Sequence, residues 1–371
     1  MAFEHLQWSA PLAAYDGQAT ALLEGHRRAD VDAIGRIRRT HPRFLDAKAP
    51  WLPRDVSHAE IAESPFARDD ARLSIARSYD FADWAALSEF SEAVKPGEPV
   101  ARFEAAVEAV VDGDEPALAA ALREDPQLAL MRSTRRTHLD PAVHGAMLLH
   151  YVAANGVEGY RQRSPKNAPA IARAILGAGT PPDAVAYMYG GEWATMGLLV
   201  SSCHPAQAGV QVALVDVLAD FGASVDAVPA ALAFGYSDAA RALMRRGARV
   251  DSLSVASGLG DLREAARLLA GADAVERRRA LALAAMHGHP DVVAMLLDAG
   301  EDPNRFNPKG NHAHSTPLHQ AALAGHLSVV RVLVERGARV DIEDEIYHAS
   351  ALGWARHGGR DEVAAYLESL R

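Results

Sequence analysis

A chain of 371 residues, 49% hydrophobic and 23% charged, has the composition of a folded globular protein, which argues against overall disorder. Its 38 basic and 48 acidic residues leave a formal charge of −10, so long-range electrostatics favour neither nucleic acid nor an anionic membrane surface as partner. The single cysteine, Cys203, excludes an internal disulfide framework and fits a reducing compartment.

Residues 1–7 lack the basic start and apolar core of a secretory signal. No later run supplies the roughly 20 apolar residues of a membrane span, so a soluble cytoplasmic protein is expected. Residues 1–95 are expected to form a helical cap region. Asp30–Arg39 reads as one helix ending before His41-Pro42, and residues 48–53 (KAPWLP) read as loop. Residues 69–94 read as two short helices packed through Ile75, Phe81, Trp84 and Leu87. The KPGEP run at 95–99 is the expected boundary, with a repeat array over 100–371.

In that array one pattern recurs: helix, glycine turn, helix. The first copy spans 103–130, turning at Gly113-Asp114. The second, 147–184, starts LLHYVAANG and inserts VEGYRQRSPKNAP before its second helix, AIARAILGAG. The third, 195–227, starts TMGLLVSS and inserts CHPAQAGV (203–210) before ALVDVLADFGASVD. Both insertions fall between the two helices of adjacent copies, so stacking predicts them side by side on one edge. Further copies cover 230–251, a shortened 253–272, and 280–304, followed by an enlarged turn at 305–315. A polar copy at 349–371 suits an end cap.

Residues 316–341, TPLHQAALAGHLSVVRVLVERGARVD, carry the pattern in full. Thr316 is a natural N-cap, and Pro317 sits at the first helical position, where its missing N–H is harmless. Leu318, Ala321 and Ala322 share one face, Gly325 ends the helix, and Val329, Val330, Leu333 and Val334 stripe the next. The run Thr316–Ala321 completes T-P-L-H-x-A, and the unit resembles the ankyrin repeat. That resemblance implies an all-α solenoid of helix–turn–helix units, about eight here. Residues 1–95 resemble the helical region that precedes the repeats in some bacterial ankyrin-containing proteins. The resemblance also implies binding of proteins through turn tips and the concave helix face. His150 and His319 fall at the signature histidine, which ties turns together, and His289 and His326 follow the turn glycine. The repeat therefore accounts for all four.

Little else announces chemistry. Glycine-rich pieces lack nucleotide-loop spacing, and neither G-x-S-x-G nor H-E-x-x-H occurs, so no cofactor is expected. His312 and His314 would share a strand face, but no third ligand stands nearby and no metal is expected. The basic run Arg132–Arg136 reads as a solvated loop, and Cys203 as core filler.

Residues the repeat does not need concentrate in 146–210. Tyr151, Asn155, Glu158, Arg161, Gln162, Tyr189, Glu192, Trp193 and His204 are the candidate binding residues, because aromatic and arginine side chains dominate recognition surfaces. Three readings stand. The insertions pack on each other with Glu158–Arg161 an internal pair; or they form a recognition surface for a protein or peptide. The third is a small-molecule site in a soluble enzyme, with Glu158 or His204 as acid/base and Tyr151 or Tyr189 as donor. Non-catalytic protein binding is the expected function, the pocket reading its alternative.

Overall fold

The structure is a computed structural model describing residues 4–47, 49 and 51–370; Lys48 and Pro50 of the expected loop, and residues 1–3, lie outside the described residues. The chain forms two compact units, residues 1–223 and 224–371.

The first unit opens with helices Leu12–Arg27, Val31–Thr40, His58–Glu63, Arg68–Ser78 and Trp84–Ala93. Val31–Thr40 starts where Asp30 accepts from the Ala33 N–H, and it stops before Pro42. Asp83 likewise caps Trp84–Ala93 through the Ala86 N–H. These helices share a core of Tyr15, Leu22, Ile34, Ile37, Ile75, Tyr79, Phe81 and Leu87, with Trp84 at its margin. Val94 and Ala101, on either side of the 95–99 connection, belong to that same core.

Three helix pairs follow: Pro99–Asp112 with Glu115–Glu124, Leu148–Ala153 with Ala168–Gly177, and Thr195–Val200 with Gln211–Asp220. First helices pack on first helices and second on second, the contact pattern of a stacked repeat. Between the last two pairs, strands Val185–Met188 and Gly191–Ala194 form an antiparallel hairpin with Val185 opposite Ala194. It is the only sheet among the described residues.

The second unit holds five pairs: Val228–Ala233 with Ser237–Arg245, Leu253–Leu259 with Leu262–Leu269, Ala274–Met286 with Pro290–Asp298, Pro317–Ala324 with Leu327–Glu335, and Ala351–His357 with Asp361–Glu368. The third starts upstream of the expected Ala280, because Asp273 accepts from the Val275 and Glu276 N–H groups and lets a polar stretch begin the helix. Leu281, Val293, Leu296, Leu318, Val330, Leu333 and Leu352 form one continuous core. Gly325 takes φ 87, a left-handed conformation that favours glycine.

Histidines stitch neighbouring copies. His319 Nδ1 accepts from the Thr316 N–H (3.3 Å), which leaves Nε2 to donate to Ala349 O of the next copy (3.2 Å). His150 repeats this with Met147 N–H (3.1 Å) and Ala184 O (3.0 Å). His289 and His326 donate backwards, to Gly258 O (3.1 Å) and Met286 O (3.0 Å). The fold is all-α, a solenoid of helix–turn–helix repeats with one small hairpin.

Candidate functional site

The candidate residues of 146–210 separate into a buried group and a surface group. The first insertion makes a short turn, Gly159–Arg161, that drives Glu158 and Arg161 fully inside. Arg161 Nη1 lies 2.7 Å from Glu104 Oε2 and 3.9 Å from Glu158 Oε2, and its Nη2 is 2.7 Å from Glu108 Oε1. Arg135 joins them, 3.3 Å from Glu104 and 3.6 Å from Glu158, with its guanidinium 4.2 Å from the Phe90 ring centroid. Tyr151 donates to Glu158 Oε1 at 3.4 Å. His144 Nδ1 accepts from the Ala146 N–H, and its Nε2 lies 3.5 Å from Glu158 Oε1.

Burial pushes the Glu158 carboxyl up, but Arg135, the His144 hydrogen bond and Arg161 outweigh it, and the group lies well below the carboxylate range. Burial and the neighbouring Glu158 charge drive Tyr151 well above its ordinary value. Held charged and sealed from solvent, Glu158 does not exchange protons near neutral pH. The arrangement braces the insertion against helix Pro99–Asp112. Sequence reasoning missed Glu104, Glu108, Arg135 and His144. Glu104 had a signal: a carboxylate within the apolar stripe Ala101, Phe103, Ala106, Val107 needs a partner. The solvated-loop reading of 132–136 is corrected at Arg135, because the extended chain alternates and turns Ser133, Arg135 and Thr137 inward.

The surface group sits at the hairpin. Tyr189, at φ 54 in the turn, is 63% exposed and donates to Asn155 Oδ1 at 2.6 Å. Asn155 in turn donates to Leu198 O (3.0 Å) and Ser201 Oγ (2.9 Å). Trp193 stands edge-on to Tyr189 at 6.4 Å and covers Gly197, while Glu192 is exposed. A cleft of about 270 Å³ beside them is lined by Leu139, Pro141, His144, Met188 and Tyr189. Gln162 is half-buried and donates to Val157 O (2.6 Å), closing its own loop.

His204 is half-buried in the short helix Cys203–Gln207 and hydrogen-bonds to neither group among the described residues. Cys203 is exposed rather than core filler, because Ser202 turns inward and donates to Ala154 O at 3.0 Å. The two insertions do meet: Lys166 Nζ donates to Ala208 O at 2.6 Å.

A larger cleft, about 520 Å³, opens in the second unit and is lined by His312, His314, Gln320, Tyr347, Trp354 and His357. Residues 311–316 form no strand; His312 takes φ 55 and donates through Nε2 to Ala233 O at 3.0 Å. Its ring meets His314 edge-on at 6.2 Å, and His314 lies 5.9 Å from Tyr347 and 5.7 Å from Trp354. Buried Asp344 accepts from the Tyr347 N–H (2.7 Å), the Ala349 N–H (3.1 Å) and Trp354 Nε1–H (2.9 Å), which fixes the wall. Tyr347 is 58% exposed at its lip. Among the described residues no group of three or more His, Cys, Asp or Glu is arranged to hold a metal. No helix among them is long and apolar enough to cross a membrane. Sequence reasoning missed Tyr347, just before the terminal copy, and Trp354, within it.

A family model described as ankyrin repeats (3 copies) matches residues 230–344. Among curated proteins, the chain is similar to "Ankyrin repeat and SAM domain-containing protein 6" of Mus musculus, 37% identical over 95 residues, which is 26% of this chain and 10% of that protein. The Danio rerio protein of that name is 36% identical over 152 residues, 40% of this chain and 20% of its own length. The chain thus spans only a small part of these long relatives. "Cyclin-dependent kinase 4 inhibitor B" of Rattus norvegicus is 34% identical over 122 residues, 32% of this chain but 90% of that protein. With helix pairs stacked on helix pairs, histidines tying the turns and a relative matched over nearly its whole length, the chain belongs to the ankyrin-repeat family.

Proposed function

We propose that the chain is a non-catalytic, protein-binding scaffold, and that a peptide segment of its partner lies in the cleft of His312, His314, Tyr347 and Trp354. The carrying observation is the cleft's construction: an exposed tyrosine at the lip, and a tryptophan fixed by Asp344 in its wall. Aromatic side chains already held in place lose little entropy on binding, which is why they anchor interfaces. The rat relative's name records inhibition of a kinase, another protein, and so supports the same class of job. Asn155, Tyr189, Glu192 and Trp193 make a second contact surface, while Glu158 and Arg161 brace the insertion. The single cysteine supports work in a reducing compartment such as the cytoplasm. A catalytic site in 146–210 finds less support, because Glu158 is sealed and His204 stands apart from it.

The test is selection of displayed peptides on the full chain, followed by titration of the selected peptides against Tyr347→Ala. A loss of about tenfold or more, with melting unchanged, is expected. Peptides that bind the variant as well as the wild type would remove the cleft from the proposal.

A further inference from the structure

Several arginines of the first unit are paired with acids. Arg72 pairs with Asp16, Arg43 with Asp70, and Arg135 and Arg161 with buried glutamates. Arg39 and Arg77 have no ion pair or side-chain hydrogen bond among the described residues, although Arg77 is half-buried and its Nε is shut away from solvent. Both line one cleft of about 380 Å³, together with Trp51, Asp80, His138 and Tyr160.

Burying a guanidinium is costly: burial lowers the Arg77 pKa, and the nearby charges of Asp83 and Asp80 offset only part of that, with neither carboxylate in direct contact. The positive field extends beyond the pair. Arg36 is brought down to about 10, first by burial and then by repulsion from Arg39. The cleft's acid is Asp80, which lies 4.0 Å from His138 Nδ1. Its carboxylate accepts the Gly159 N–H at 2.7 Å, and burial raises its pKa to about 6. Trp51 stands 69% exposed at the rim, offering a ring face to a flat ligand.

We propose that this cleft binds a small molecule carrying an oxyanion on a planar ring, an aryl phosphate or aryl carboxylate. Arg39 and Arg77 hold the oxyanion, since their forks of N–H donors match its paired oxygens, and the ring lies on Trp51. Tyr160 cannot serve as that ring platform, because its face is taken by His5 at 5.1 Å with planes 12° apart. The site is independent of the peptide cleft in the other unit.

Calorimetric titration of the full chain with phenyl phosphate, inorganic phosphate and benzoate tests this. Phenyl phosphate or benzoate is expected to bind saturably, and the tighter of the two identifies the oxyanion. Inorganic phosphate should bind more weakly than phenyl phosphate for want of a ring. Arg77→Gln should weaken binding about tenfold or more, the loss of one charge-assisted contact. Arg39→Gln lies on the surface, keeps the fold, and should weaken it severalfold even if Arg77→Gln proves unstable. Trp51→Ala should erase the advantage of phenyl phosphate over inorganic phosphate. Absence of saturable binding by all three probes overturns the proposal, as does binding that Arg39→Gln and a folded Arg77→Gln leave unchanged. A ring advantage surviving Trp51→Ala overturns the role of Trp51.

Discussion

The two units solve one problem by different means. In residues 224–371 the copies are regular, their core is alanine, valine and leucine, and polar groups are satisfied by histidines that bond the backbone of adjacent copies. In residues 1–223 long insertions break the repeat, and a buried set of charges, Glu104, Arg135, Glu158 and Arg161, takes the place of uniform packing. Regular stacking needs only shape, because each copy supplies the surface its neighbour requires. An inserted loop has no such neighbour, and here it is fixed by interactions that demand particular partners.

The comparison breaks most sharply at Arg161. Arg161→Ala takes from buried Glu104 its nearest counter-charge and from Glu158 one of two, and removing one partner of such a set costs about 3–5 kcal/mol. Hydrogen exchange should show that loss over residues 99–177 while residues 274–335 keep their protection. Leu333→Ala is the matching test of the regular unit: truncating a fully buried leucine costs about 2–5 kcal/mol. Its loss should appear across several copies, because the core is continuous there. A silent Leu333→Ala would show that the second helix of that copy is in a different register.

Much of the regular unit was legible in the sequence, for a physical reason. Thr316, Pro317, Gly325 and Gly337 act locally, through capping and backbone conformation, so their meaning does not depend on distant residues. The site residues were less legible because their meaning is set by partners far along the chain. Arg135 looked like part of a solvated basic run until Glu104 and Glu158 were placed beside it. Tyr189 and Asn155 were both candidates, yet only the hairpin brings the phenol onto the amide. Trp354 carried no signal of a cleft, since its wall is built by Asp344, ten residues earlier, and by His314 in the preceding turn.

Acid should separate the two kinds of glue. Burial lowers the imidazole pKa of His289, His319 and His326, and that of His150 to about 4. An unfolded histidine titrates near 6.5, so between that pH and the folded values the unfolded chain binds more protons. The histidine contribution is therefore whole above about pH 6.5 and falls as the pH drops below it. Glu158 behaves otherwise: its contribution is present above the unfolded carboxylate pKa and is lost only as pH falls through its lowered folded value. His319→Ala, which orphans the Thr316 N–H and removes one of the two donors to Ala349 O, should cost about 1–3 kcal/mol at pH 7 and less at pH 5. Urea unfolding at both pH values measures it; an equal cost at each would mean that His319 is not held neutral.

The smallest effect on stability sharpens the comparison most for function. Tyr347 and Tyr189 are both largely exposed aromatics, one beside each cleft, and neither fills a core. Replacing either by alanine should change stability by no more than about 0.5 kcal/mol, as for other surface positions. Their difference lies in what supports them. Tyr347 stands beside rings anchored by a buried carboxylate, so a ligand there meets a wall already formed. Tyr189 is held through its hydroxyl to Asn155 at the tip of a two-stranded hairpin, a smaller support than a wall of packed rings. Equal contact area should then bind more weakly at the hairpin. Titrating one selected peptide against Tyr347→Ala and Tyr189→Ala should give the larger loss at Tyr347. The reverse order would move the main partner surface to the hairpin and make residues 146–210, rather than the aromatic cleft, the face that recognises the partner.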